Sequence, residues 1–330
     1  MTYQPTDRRI DRLIHVLVEN ATVVLPGPKI AAEIGAPPST VRHWIEKLRE
    51  LGVDILGHLG SGYQLRRLPD VLAPSLIRAE LADGEIGKKI VHYFLIDSTN
   101  TLAMKLAAQG ALHGTVVVAE EQTNGRGRFG RVWYSERSSG IYASVLLRPA
   151  LPPSAAPILT LMAGVAAHHA VASVTGLIPD IRWPNDLLLN GKKLGGTLTE
   201  MNAELDRVHA VILGIGINVN HTGMPPQLRT VATSLRIEGG KIYSRVRLAA
   251  ALLKQIEFFY HMLLREGSAA IAGQWAAASS FASGRRVRIS SKNGDRFATT
   301  IALDANGALR VRFDNGCEES LVSGEVVELK

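Results

Sequence analysis

The chain has 330 residues, 46% of them hydrophobic and 20% charged, so it can bury two or three cores and is not intrinsically disordered. Its formal net charge of +7 suits an anionic partner but is spread too thinly to name one. A single cysteine, Cys317, excludes a disulfide framework and a cysteine metal cluster, which suits the cytosol.

The first nine residues are polar and lack the apolar run of a signal peptide. Ile10, Leu13, Ile14 and Leu17 then recur at helical spacing. Residues 28–35 read as a short helix with proline at its start and glycine at its end. Ala36-Pro37-Pro38 turns the chain, and Ser39 or Thr40 is expected to cap a third helix with the stripe Val41, Ile45, Leu48 and Leu51. Two short β runs, 53–56 and 63–65, flank a glycine-rich tip. This order predicts a winged helix-turn-helix over residues 1–67. Its third helix would present Ser39, Thr40, Arg42, His43, Glu46 and Lys47 to a DNA major groove. Residues 1–70 hold nine Lys and Arg against eight Asp and Glu, so a small protein-interaction domain competes with that reading. DNA affinity would rest on Arg42, Lys47, Arg66 and Arg67, and on dimerisation.

Residues 68–74 read as a linker. From Ile90 strands and helices alternate in an α+β domain, assigned to residues 68–280. Strands are expected at 91–96, 115–120, 141–147, 181–183, 187–189, 193–201 and 208–219. Helices are expected at 102–109 and from Ser244 to about Arg265. Residues 155–174 are long enough to suggest a membrane span, but Pro157, Thr160, Ser173 and His168-His169 interrupt them, so a buried helix is expected. Adjacent histidines point about 100° apart on a helix and make a poor metal pair. Asn190-Gly191 signals a type I′ hairpin. From Arg285, short alternating runs separated by Asn293-Gly294, Asn306-Gly307 and Asn315-Gly316 indicate a small β-barrel over residues 281–330.

Residues 125–131 read Gly125-Arg126-Gly127-Arg128-Phe129-Gly130-Arg131, with Trp133 two places on. Glycine lets the backbone approach a ligand, and arginine offers a planar fork to phosphate or carboxylate. The loop is therefore expected to be mobile when empty and to close over an anionic ligand. Its glycines also fit G-x-G-x-x-G, but no helix follows, and Leu146-Leu147 stand where a dinucleotide fold needs an acid. Three other polar segments end strands: Ser98-Thr99-Asn100, Trp183-Pro184-Asn185-Asp186 and Lys192-Lys193-Leu194-Gly195-Gly196. Singly they read as a helix cap, a turn and a solvated hairpin flank. Together with Gln122 and the loop they make a kit for joining a small carboxylic acid to a nucleotide.

At these residues the chain resembles the biotin protein ligases, in the bifunctional type that also represses the biotin operon. The resemblance spans nearly the whole chain. It rests on GVDILGHLGSGYQL, IDSTN, EEQTNGRGRFGR with Trp133, RWPNDLLLNGKKLGG, GIGINVN and SGEVVEL. It implies a class II synthetase-like mixed sheet in the centre and an SH3-like C-terminal barrel. It implies that biotin and MgATP form biotinyl-5′-AMP, and that biotin then passes to a lysine of the biotin carboxyl carrier domain of acetyl-CoA carboxylase. Biotinyl-5′-AMP would also be corepressor for a ligand-promoted homodimer on operator DNA of biotin-synthesis genes, in the cytoplasm, with no membrane partner. Carried over residue by residue, Ser98, Thr99, Asn100 and Gln122 would surround biotin, with Gly127 and Gly196 allowing close backbone approach. Arg126, Arg128 and Lys193 would carry the chemistry. Arg128, Arg131, Trp133, Asn185 and Asn218 would face the nucleotide. Asp186 is a candidate to engage Mg²⁺ or the acceptor lysine.

Two features depart from the family pattern. Phe129 stands where many bacterial relatives carry a third basic residue, and Pro37-Pro38 is an unusual turn for a helix-turn-helix. Two alternatives stay open: a ligase whose first domain no longer represses, and a ligand-sensing regulator without ligase activity. Intact Arg126, Arg128 and Lys193 argue against the second.

Overall fold

Ile10, Leu13, Ile14 and Leu17 all face inward on the first helix, α1 (Arg8–Glu19), as their spacing requires. The computed structural model describes residues 8–329 except 22, 69, 206, 292 and 293. The polar start at 1–7 and Asn293 of an expected turn lie outside the described residues.

Two further helices, α2 (Gly27–Ile34) and α3 (Pro38–Glu50), pack with α1 and a two-stranded antiparallel hairpin, β1 (Ile55–His58) and β2 (Gly62–Leu65). Leu13, Ile30, Val41, Ile45 and Tyr63 are buried together in this first core. The cap expected at Ser39 or Thr40 is corrected. Pro37 occupies that place, α3 starts at Pro38, and no side chain caps it. Proline serves the first turn because its φ is preset and its missing N–H would have been unpaired there anyway.

The linker is corrected too. Val71, Leu72 and Ala73 are buried, Val71 and Ala73 within the first core, and α4 (Pro74–Glu80) follows directly.

A seven-stranded sheet forms the centre. Its order is β3 (Ile90–Tyr93), β4 (Val116–Ala119), β5 (Gly140–Leu147), β9 (Val208–Asn218), β8 (Lys192–Ala203), β7 (Asp186–Leu189) and β6 (Asp180–Arg182). Only β3 and β4 run parallel, so the sheet is mixed. Alternation on β4 assigns the two faces. Val117 packs with α5 (Thr99–Ala108), while Val116 and Val118 join the core under α6 (Ala156–Thr175) and α8 (Arg245–Glu266). Helix α6 is long and apolar enough to cross a membrane, yet here it packs against the sheet, α8 and α9 (Ser268–Ala277). A short α7 (Leu235–Gly239) precedes α8. The hairpin signal holds: Asn190 and Gly191 both have positive φ, 50° and 74°.

The last five strands form one antiparallel sheet. Their order is β13 (Glu318–Leu321), β12 (Leu309–Phe313), β11 (Gly294–Leu303), β10 (Arg286–Ser291) and β14 (Glu325–Glu328). Its β11–β12 turn reaches the central domain, where Gly307 O accepts from the Trp183 indole at 3.1 Å.

Candidate functional site

The sheet places its polar strand ends around one cavity of about 540 Å³. Ser98, Thr99 and Asn100 line it from the start of α5, and Gln122 from the segment after β4. The turn before β7 brings Asn185, the β7–β8 hairpin Asp186, Lys193 and Gly196, and the end of β9 Asn218. Arg126, Gly127, Arg128, Arg131 and Trp133 close the mouth. All the ligand-site residues picked from the sequence therefore meet, although they span 121 positions from Ser98 to Asn218.

Ser98 caps α5, its hydroxyl accepting from Thr101 N–H at 3.4 Å. Thr99 donates to Gln122 Oε1 from its N–H at 2.9 Å and its hydroxyl at 3.1 Å. Gln122 Nε2 in turn donates to Ser135 Oγ at 2.9 Å. Two residues here escaped the sequence reading. Buried Ser144 donates to Asn100 Oδ1 at 2.5 Å, and Glu200 Oε2 accepts from Asn100 Nδ2 at 2.8 Å. Gly216 also has a definite role. A Cβ there would sit 2.5 Å from the Trp133 ring, so only glycine lets the indole lie against β9. The indole Nε1 is buried on the cavity wall without a hydrogen-bond partner among the described residues, a donor left for a ligand.

The loop is not the unsupported strand of like charges that its sequence suggests. Arg126 donates to Glu200 Oε2 at 2.8 Å. Arg128 Nη1 donates to Asn185 Oδ1 at 3.2 Å and to Gly324 O at 3.1 Å. Arg131 forms a fork with Glu325 at 2.7 and 2.5 Å, so it points to the last sheet. Gly127 N–H to Arg131 O, at 2.7 Å, closes the loop on itself. Phe129 sits at its tip with φ 57° and is 69% exposed. Its ring centroid lies 4.8 Å from the Arg128 guanidinium.

Lys193 Nζ lies 2.5 Å from Asp186 Oδ1, and Arg182 Nη2 lies 2.5 Å from Asp186 Oδ2. Burial would raise the Asp186 carboxyl, but the two cations more than offset this and hold it below its ordinary value. Its candidate metal role does not fit. Both oxygens are already paired, and among the described residues no group of three His, Cys, Asp or Glu could hold a metal. Magnesium would come with nucleotide phosphates, the usual way it binds.

Behind the site, wholly buried Glu120 accepts from Arg245 at 2.8 Å and from Leu72 N–H at 2.7 Å, with His92 Nε2 at 3.2 Å. Arg245 also reaches Asp70 and Gly140 O. One guanidinium thus ties the segment before the loop, the segment after it and the chain leaving the first domain.

On α3, Ser39, Arg42, His43 and Glu46 are exposed, while Thr40 and Lys47 are half-buried. Lys47 departs from the expected outward face. Its ammonium lies 4.8 Å from the ring centroid of Phe94 in the central domain.

Residues 91–218 match the family model described as the biotin/lipoate A/B protein ligase family. The chain is 36% identical over 309 residues to the bifunctional ligase/repressor BirA of Bacillus spizizenii, covering 93% of this chain and 95% of that one. It is 34% identical over 272 residues to the biotin–[acetyl-CoA-carboxylase] ligase of Mycobacterium tuberculosis, covering 79% of this chain and 98% of that one. Among solved structures, the biotin protein ligase from Aquifex aeolicus in complex with biotin and ATP superposes with a TM-score of 0.63. That chain is 27% identical, and the match covers 74% of this chain and 99% of that one.

Proposed function

This chain belongs to the biotin protein ligase family, in its bifunctional ligase/repressor branch, and on that premise we propose that it makes biotinyl-5′-AMP, biotinylates a carrier protein and represses biotin-synthesis genes. The observation that carries the enzymatic half is the single cavity in which Lys193, Arg126 and Arg128 meet Thr99, Asn100 and Gln122.

Ser98, Thr99, Asn100 and Gln122 form the polar end that receives biotin, and Gly127 and Gly196 leave room for backbone approach. In the first step the biotin carboxylate oxygen attacks the α-phosphorus of ATP, and the bond to pyrophosphate breaks. Both reactants are anions. Lys193, Arg126 and Arg128 offset their repulsion and stabilise the charge that develops, as does the Mg²⁺ carried by ATP. Trp133, Asn185, Asn218 and Arg131 face the nucleotide. In the second step a carrier lysine attacks the acyl carbon, AMP leaves, and the amine releases a proton. Asp186, both of whose oxygens are paired, orients Lys193 rather than that amine. Closing the loop keeps water from the mixed anhydride.

The order of three helices and a hairpin supports reading residues 1–67 as a winged helix-turn-helix, with Ser39, Thr40, Arg42 and His43 toward DNA and Lys47 at the edge of that face. Residues 68–280 are then the ligase domain, and residues 281–330, five antiparallel strands, an SH3-like barrel. The acceptor is a biotin carboxyl carrier domain of acetyl-CoA carboxylase, the corepressor is biotinyl-5′-AMP, and the DNA-binding form is a ligand-promoted homodimer in the cytoplasm. Biotin-dependent release of pyrophosphate from MgATP tests the first step. Its absence sinks the ligase reading.

A further inference from the structure

Glu200 stands outside every motif that drew attention to the site. Its side chain reaches from β8 to Arg126 and is 30% exposed. One oxygen, Oε2, accepts from Arg126 Nη2 and Asn100 Nδ2, each at 2.8 Å. Asn100 Nδ2 donates to Leu198 O as well, at 3.2 Å, so the amide nitrogen faces β8 and Oδ1 faces the Ser144 hydroxyl. Thr99 Oγ1 lies 2.8 Å from Ser144 Oγ, and the Thr99 N–H donates to Gln122, whose Nε2 donates to Ser135. Polar contacts thus link Arg126 in the loop, through Glu200, Asn100, Ser144, Thr99 and Gln122, to Ser135 just beyond the loop.

We infer that Glu200 is a positioning residue that competes with the ligand's anion for Arg126. The inference rests on the ligase reading above and deepens it. The carboxylate takes one guanidinium nitrogen, Nη2, that a ligand phosphate can use. A phosphate that takes this nitrogen displaces Glu200 from Arg126, while Glu200 keeps Asn100 and so holds the pocket amide in its orientation through the exchange. The exchange replaces one anion by another on the same guanidinium. A neutral ligand of the same shape gains nothing from it, because it brings Arg126 no charge in place of Glu200. Glu200 therefore makes the loop answer to an anionic ligand specifically.

The test is calorimetric titration of the full chain, wild type and Glu200→Gln, with two stable analogues of the adenylate. One is the phosphodiester of biotinol and adenosine, with one negative charge. The other is the biotin amide of 5′-amino-5′-deoxyadenosine, which has no charge at that link. Glu200→Gln is expected to bind the phosphodiester about two- to five-fold tighter, the scale of a half-exposed ion pair, and the amide with unchanged affinity. Glu200→Ala, which also frees Asn100, is expected to weaken both. Equal gains for both compounds, or no gain for the phosphodiester, overturn the role given to Glu200. Failure of the wild type to bind either compound overturns the ligase reading itself.

Discussion

Lys193 Nζ and Asp186 Oδ1 lie 2.5 Å apart across the β7–β8 hairpin, and Arg182 holds the other oxygen of the same carboxylate. The lysine that would meet the reacting anion is thereby fixed in the cavity before any ligand arrives.

From this follows the expected effect of Lys193→Ala. A charged hydrogen bond to carboxylate or phosphate contributes about 1.5–3 kcal/mol. Adenylate formation should slow by roughly 10–150-fold. Asp186 keeps Arg182 in this variant, so the fold should survive. Single-turnover pyrophosphate release measures the rate, and a wild-type rate removes Lys193 from the chemistry.

Loop closure makes a separate prediction. The pairs Arg126–Glu200 and Arg131–Glu325 are half-exposed. Such pairs are worth about 0–1 kcal/mol and weaken with salt. Trypsin cleavage after Arg126, Arg128 and Arg131 should quicken with added salt in the empty protein and slow with biotin plus ATP. Identical digestion with and without ligand speaks against closure.

Acid stability should turn on Glu120. Burial would raise its carboxyl, but Arg245, aided by His92 and Leu72 N–H, lowers it from 4.5 to about 2. A depressed folded-state value stabilises the fold fully above the unfolded value, and the stabilisation is lost as pH falls toward 2. Urea midpoints should therefore drop between about pH 5 and about pH 2 more steeply in the wild type than in Glu120→Gln/Arg245→Met. At neutral pH, Arg245→Ala strands Glu120 and Asp70 and should cost about 3–5 kcal/mol. A loss below about 1 kcal/mol would be too small for a buried charge left unpaired.

The repressor half is tested on DNA from upstream of biotin-synthesis genes. Biotin plus ATP should raise affinity in a gel shift. Arg42→Ala should lower it and reduce the salt slope by about 1. Lys47→Ala should act less, because its ammonium sits over Phe94. DNA affinity indifferent to ligand would leave a ligase without a ligand-driven repressor.

Much of the site was legible because its polar residues interrupt apolar strands, and such interruptions sit at strand ends. Asn190-Gly191 was readable because few dipeptides accept two successive positive φ angles. The loop's partners were not. Glu325 lies 194 positions from Arg131, and Glu200 lies 74 from Arg126, distances over which no local pattern operates. Ser144 sits within an otherwise apolar strand, where a small hydroxyl reads as core filler until the fold sets Asn100 against it. The packed segment around Leu72 read as a linker because its anchor, Glu120, is a strand-end acid remote in sequence. Helices α4 and α7 are too short for periodicity to mark.

The most direct measurement is the intact mass of a biotin carboxyl carrier domain after incubation with this protein, biotin and MgATP. One added biotinyl group, absent without ATP and absent when the acceptor lysine is replaced by arginine, is the predicted result. An unchanged carrier mass, with the same carrier modified by a known biotin ligase in parallel, would contradict the assignment of this chain as a ligase.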